Sequence, residues 1–228
     1  MNKTTGKNRI SWRRGIAVVV VGILGAGLAA CASGSTYHKR PQDPAANHAV
    51  TAMWVHDVRR VAQTGDWILS RSYSTTGDII TAFTSGESVS HASIYDAERG
   101  TIIEALQPAV REVPLESLMD RNHLVIVVRP RGLTQEQRIA SVARARSVVG
   151  SEFDVTGLFG AGSEDRFYCS ELVLWASRKA GTAGAVVTPA ELVEHGTVIY
   201  YSGLRNDDSV IATARAIESR GTVRTAAR

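Results

Sequence analysis

Residues 15–30, GIAVVVVGILGAGLAA, carry no charge and follow MNKTTGKNRISWRR, a segment with several bases and no acid. This pattern constrains the chain most, because it takes the first thirty residues out of the fold. The apolar run is shorter than the roughly twenty residues a helix needs to cross a bilayer. It ends in small residues, as a secretory signal does. The rest of the 228-residue chain is long enough for one globular domain with appendages, and 44% hydrophobic residues suffice for one core. The formal net charge of +4 is misleading. Lys3, Lys7, Arg9, Arg13 and Arg14 leave with the signal, so 21 of the 26 basic residues face 22 acidic ones. A near-neutral domain gives no electrostatic case for nucleic acid. The pair Arg13-Arg14 fits twin-arginine export and also an ordinary signal.

The signal closes with Leu28-Ala29-Ala30-Cys31. This resembles the lipobox of bacterial lipoproteins, in which the cysteine is acylated and becomes the mature N-terminus. The resemblance implies a cell-envelope protein anchored to a membrane through lipid on Cys31. Ala32 and Ser33 follow, with no aspartate; in a Gram-negative cell that implies the periplasmic face of the outer membrane. The chain has two cysteines. With Cys31 acylated, Cys169 has no partner for an intramolecular disulfide. A lone thiol in an oxidising compartment is open to oxidation, so burial or catalysis must account for it.

Residues 31–48 are polar with two prolines and read as a flexible tether. A domain is expected over 49–205. It opens with a helix in which Val50, Met53, Trp54, Val58 and Val61 share a stripe ending at Gly65. GDWILSRS is a short apolar strand. SHASIYDAERGTIIEAL reads as a hairpin, with Glu98-Arg99-Gly100 as the turn. HLVIVVRP is a strand of buried type. The helix over TQEQRIASVARARSVVG has Thr134 as N-cap, Gln137 at the capping-box position and Gly150 at its exit. A second short helix has Thr188 as cap, Pro189 at its first position and Glu191 closing the box. TVIYYSG is the final strand. Residues 206–228 are expected to be a polar tail with one amphipathic helix that frays at its end.

Cys169 opens an apolar helix with Leu172, Val173, Ala176 and Ala180 on its stripe. The thiol lies on that stripe. It can therefore pack as a small hydrophobe, or stand at a helix N-terminus, where the dipole favours a thiolate. A nucleophile needs a base within reach and a third group to orient the base. His91 lies on a strand with Ser93 and Tyr95 on the same face, and Glu104 follows on the return strand. In a hairpin, His91 and Glu104 come close to opposite one another. Taken singly, His91 reads as a half-buried histidine and Glu104 as a solvated strand carboxylate.

YCSELV, residues 168–173, resembles the DCSGLV signature of NlpC-type cell-wall peptidases, which are papain-like cysteine hydrolases. In those enzymes the cysteine helix precedes the histidine strand; here the order is reversed. GDWIL, SHASIY, IIEAL and FDVTGLF…FYCSELV together resemble the circularly permuted branch, the YiiX/YaeF-like amidases, over roughly residues 64–180. The resemblance implies an α+β, permuted papain-like (NlpC-like) fold in which the cysteine helix packs on an antiparallel sheet of about five strands. It implies Cys169 as nucleophile, His91 as base and Glu104 as the residue orienting His91. Two departures stand out. Glu171 replaces the small residue of the NlpC signature and crowds the helix start, as is usual in the permuted branch. His91-Ala92-Ser93 replaces the more familiar H-V-G.

The implied chemistry is acyl transfer to cysteine without cofactor or metal. The Cys169 N–H meets the oxyanion, with a second donor from the Gly65-Asp66 region or from Tyr168. Phe153 and Asp154 are placed to line the pocket. GLFGAGSE lacks the phosphate-loop lysine and reads as a loop over the site. No His/Cys/Asp spacing suggests zinc, and His48, His56, His123 and His195 read as structural or exposed. The expected substrate is a peptidoglycan stem peptide. An acyl-lipid or N-acyl amide substrate, or a non-catalytic envelope-binding role for the same domain, stand as alternatives. The chain is expected to be a monomer.

Overall fold

The structure, a computed structural model, describes residues 40, 42–73, 89–154, 166–178 and 187–226. The signal segment, Cys31 and the GLFGAGSE loop lie outside them.

In chain order the elements are α1 (Pro44–Val61), β1 (Trp67–Ser72), β2 (His91–Asp96), β3 (Thr101–Leu106), β4 (Ala109–Pro114) and α2 (Leu115–Asp120). There follow β5 (Asn122–Pro130), α3 (Gln135–Ser147), α4 (Cys169–Ser177), a 3-10 turn (Glu191–His195), β6 (Gly196–Tyr201) and α5 (Asp208–Ala226). The strands form one six-stranded sheet in the order β4-β3-β2-β1-β5-β6, with every neighbouring pair antiparallel. The cysteine-bearing helix α4 packs on it, as an α+β permuted papain-like fold requires.

Both faces of the sheet are covered. Alternating residues Trp67, Leu69, Ala92, Ile94, Ile103 and Ala105 join a core with α3 and α4. Their neighbours Ile68, Tyr95, Ile102, Val125 and Val127 join a second core with α1, α2 and α5. That double burial explains why the central strands read as continuous apolar runs rather than as alternating ones. The local signals for α3 hold in detail. The Thr134 hydroxyl accepts from the Gln137 N–H, and the Gln137 carboxamide accepts from the Thr134 N–H. Before the 3-10 turn, Thr188 and Glu191 exchange the same pair of bonds.

Both ends of the domain extend further than the composition implies. Asp43 and Pro44, read as tether, start α1. The Asp43 carboxylate accepts from the N–H groups of Ala45 and Ala46, and Pro44 occupies the first helical position. Residues 44–48 therefore belong to the first helix. The segment read as a tail is the helix α5, packed along α1 with Ala214 buried. Arg205, just ahead of α5, is fully buried. Its guanidinium donates to the carbonyls of Asn122, Asn47 and Met119 and to the Thr51 hydroxyl, and lies 4.5 Å from the Trp54 ring centroid. A cation without water needs such a set of acceptors. Here they tie α1, the end of α2 and β5 together.

Gly65 turns the chain from α1 into β1 with φ +86°, and a Cβ there would lie 2.4 Å from the Arg138 carbonyl oxygen. Gly65→Ala is expected to cost about 2–4 kcal/mol of stability, read as a lowered urea midpoint. An unchanged midpoint would contradict this packing.

Candidate active site

Cys169 is the first residue of α4 and is 3% exposed. The chain reaches it through Phe167, which bridges to Phe153, and through Tyr168 in extended conformation. Leu172, Val173 and Ala176 pull the helix onto the sheet and leave its first turn at the β2 end. At the other end of α4, Trp67 Nε1 donates to Ser177 Oγ at 3.1 Å. Ser170 Oγ donates to the Val187 carbonyl at 2.5 Å, and the Tyr168 hydroxyl accepts from the Val187 N–H.

Glu171 does not crowd the helix start. Its carboxylate turns back and accepts the Tyr168 N–H at 3.3 Å, a capping interaction at the third helical position. Burial raises its pKa above the ordinary carboxylate range, against the pull of that hydrogen bond. Ser93, in place of the family's glycine, also fits: its hydroxyl donates to the Ile68 carbonyl at 3.2 Å.

His91 is the first residue of β2 and Glu104 lies on β3. Continuing the register that pairs Ile94 with Ile103 sets Ser93 opposite Glu104, so His91 is its diagonal neighbour. The imidazole spans that offset: His91 Nε2 lies 2.6 Å from Glu104 Oε2. With Nε2 committed, Nδ1 is the nitrogen left for the thiol. Ile103 and Ala105 face the α4 core and Ile102 the opposite one, so Glu104 lies on the α1 and α2 side of the sheet. His91, at the strand's end, is reached from both layers.

The electrostatics follow from these contacts. Burial disfavours the imidazolium of His91. Hydrogen bonds to the Cys169 side chain and to Glu104, with the charges of both, outweigh it and lift the pKa to about 9. Glu104 is fully buried, which alone would raise its pKa. His91, Arg121 and Arg111 reverse that and bring it to about 2. Arg111 Nε donates to Oε1 at 2.9 Å, and Arg121 Nη2 donates to Oε2. Sequence reasoning missed both arginines. Arg111 could have been found, since it is the register partner of Glu104 on β4. Arg121 follows the six-residue α2, which gives no local signal.

The structure thus brings Cys169, His91, Glu104, Tyr168 and Asp154 to one end of the sheet. Asp154 is fully buried, and its N–H donates to the Phe167 carbonyl at 3.0 Å. Its charge acts on Tyr168 and Glu171. Asp66 is not there. The Tyr95 N–H donates to the Asp66 carbonyl, four residues up β2 from His91. That is a separation of roughly 13 Å at about 3.3 Å per residue. The Asp66 carboxylate accepts from Arg129 Nε at 3.0 Å, from Arg129 Nη2 at 2.8 Å and from the Gln63 N–H at 2.8 Å. It belongs to the β1–β5 junction, and the Gly65-Asp66 region supplies no oxyanion donor. His123 is buried with its ring edge-on to Tyr73, while His48 and His56 are exposed. Among the described residues no group of His, Cys, Asp and Glu is arranged to hold a metal ion.

Glu104 also sets a pH dependence. Its folded pKa lies below its unfolded value of 4.5, so its contribution to stability is present above pH 4.5 and is lost as pH falls through about 2. That contribution is on the order of 3 kcal/mol. Glu104→Gln is expected to lose less stability than the wild type over this acid range, and to be less stable at pH 7 by about 3–5 kcal/mol because Arg111 and Arg121 lose their carboxylate. Denaturant melts at pH 7 and pH 3 measure both; parallel losses in the two proteins would refute the assignment.

A search of the curated proteins returned no match. The profile of the family described as "Permuted papain-like amidase enzyme, YaeF/YiiX, C92 family" matches residues 61–197, more than half of the chain and the whole span from the end of α1 into β6. With the six-stranded sheet and the helix-borne cysteine beside a strand-borne histidine, the chain belongs to the permuted papain-like amidases of the YaeF/YiiX, C92 family.

Proposed function

We propose that this amidase cleaves its substrate through a thioester on Cys169, with His91 as general base and acid and Glu104 as the group that orients His91. The observation that carries the reading is the contact of a helix-start cysteine with a histidine whose far nitrogen is held at 2.6 Å by a fully buried carboxylate. His91 Nδ1 takes the thiol proton, and the sulfur attacks the amide carbonyl. The carbonyl π electrons move to oxygen, where the Cys169 N–H at the helix N-terminus meets the charge. Tyr168 is the candidate for the second donor. Collapse of the intermediate breaks the C–N bond, and the imidazolium gives its proton to the departing amine. Water, deprotonated by His91, then attacks the thioester and returns the thiol.

For the substrate we propose the peptidoglycan stem peptide. The lipobox-like Leu28–Cys31 supports it, since it would hold the enzyme in the envelope by acylation of Cys31. A second reading, an acyl-lipid or N-acyl amide substrate, is favoured by one observation: Cys169 belongs to an apolar core that also holds Val89, Val110, Phe167 and Val187, with Phe153 packed against it.

The test is the rate of Cys169 alkylation against pH, on protein beginning after Cys31. Wild type is expected to react at neutral pH at least tenfold faster than His91→Ala, because the imidazole takes the thiol proton. Equal, slow rates in both would make Cys169 a core residue. Peptidoglycan fragments assayed beside acyl-lipid reporters then separate the two substrates.

A further inference from the structure

The two arginines on Glu104 are not equivalent. Arg111 holds Oε1 from β4. Arg121 holds Oε2, the same oxygen that faces His91 Nε2. The Arg121 side chain is 24% exposed and the carboxylate not at all. A carboxylate oxygen shared between two donors gives each less than it gives one alone. A guanidinium one hydrogen bond beyond the imidazole also opposes positive charge on that ring.

We propose that Arg121 is a positioning residue that acts through Glu104: by occupying the oxygen that faces His91, it keeps the carboxylate ionised and in place and limits the positive charge that the imidazole retains. This deepens the proposed mechanism and rests on it. The His91 imidazolium must release its proton to the departing amine. A buried glutamate with no competing cation would hold that proton more tightly.

The charged groups that bear on His91 are Cys169 from α4 and Glu104 from β3, with Arg111 from β4 and Arg121 from the end of α2 behind Glu104. From β1, the register partner of His91 is uncharged Ser70. The Ser70 and Ser90 hydroxyls, opposite and just before His91, have no partner among the described residues. They add hydrogen-bonding capacity but no charge.

The experiment is an NMR titration of the His91 imidazole nitrogens in wild type, Arg121→Gln and Arg121→Lys. Arg121→Gln is expected to shift the His91 midpoint upward by about half to one unit, as loss of one nearby charge at an effective dielectric well above 20 would give. Arg121→Lys, which keeps the charge, is expected to stay within a few tenths of a unit of wild type. An unchanged or downward midpoint in a folded Arg121→Gln protein overturns the proposal. Should that variant not fold, Arg121→Met, which keeps most of the side chain's length without its charge, carries the test with the same expected upward shift, and no shift would overturn the proposal. The titration needs no substrate. If His91 responds to Arg121 but Cys169 alkylates slowly and independently of His91, the cysteine mechanism falls and takes the positioning role with it, leaving only the coupling of Arg121 to His91. If alkylation depends on His91 and the titration ignores Arg121, the mechanism stands and this inference falls.

Discussion

A carboxylate removed from water stays charged only if cations come to it. Glu104 meets that condition with three partners from three elements, His91 on β2, Arg111 on β4 and Arg121 beyond α2. The arrangement is a constraint on the fold as much as on the site. It demands the β2–β3 register that makes His91 a diagonal neighbour of Glu104. It demands the β3–β4 register that puts Arg111 directly opposite, and a chain that folds back after β4 to deliver Arg121. A slip of one residue in the β2–β3 ladder would part Glu104 from His91, and one in the β3–β4 ladder would part it from Arg111.

Much of this architecture is legible in local pattern, because the signals concerned act over a few residues. The capping pairs of Thr134 with Gln137 and Thr188 with Glu191, the turn at Gly100 and the apolar strands are all of this kind. Asp43-Pro44 is a helix start of equal quality, yet in a polar, proline-containing stretch it reads as linker. β4 and α2 are six residues each, too short for periodicity to distinguish.

The site is legible where residue type and order carry chemistry, and illegible where tertiary pairing decides. Cys169, His91 and Glu104 stand out as a set. Asp66 reads as a candidate for the second oxyanion donor, in the Gly65-Asp66 turn that opens β1. Its destination is set instead by Arg129 on a neighbouring strand far away in sequence. Arg121 has the opposite history: nothing around it in the chain marks it, and only the fold brings it to Glu104. Glu171 shows that a departure from a signature can supply a compensating contact, since the larger side chain caps the helix it would otherwise obstruct.

The start of α1 at Pro44 has a mechanical meaning. Arg40, just ahead of it, pairs with Asp120 at 2.7 Å, next in sequence to the arginine that serves Glu104. The ion pair staples the chain entering α1 to the turn that carries Arg121, so tension on the chain at Arg40 would be transmitted to the Glu104 cluster.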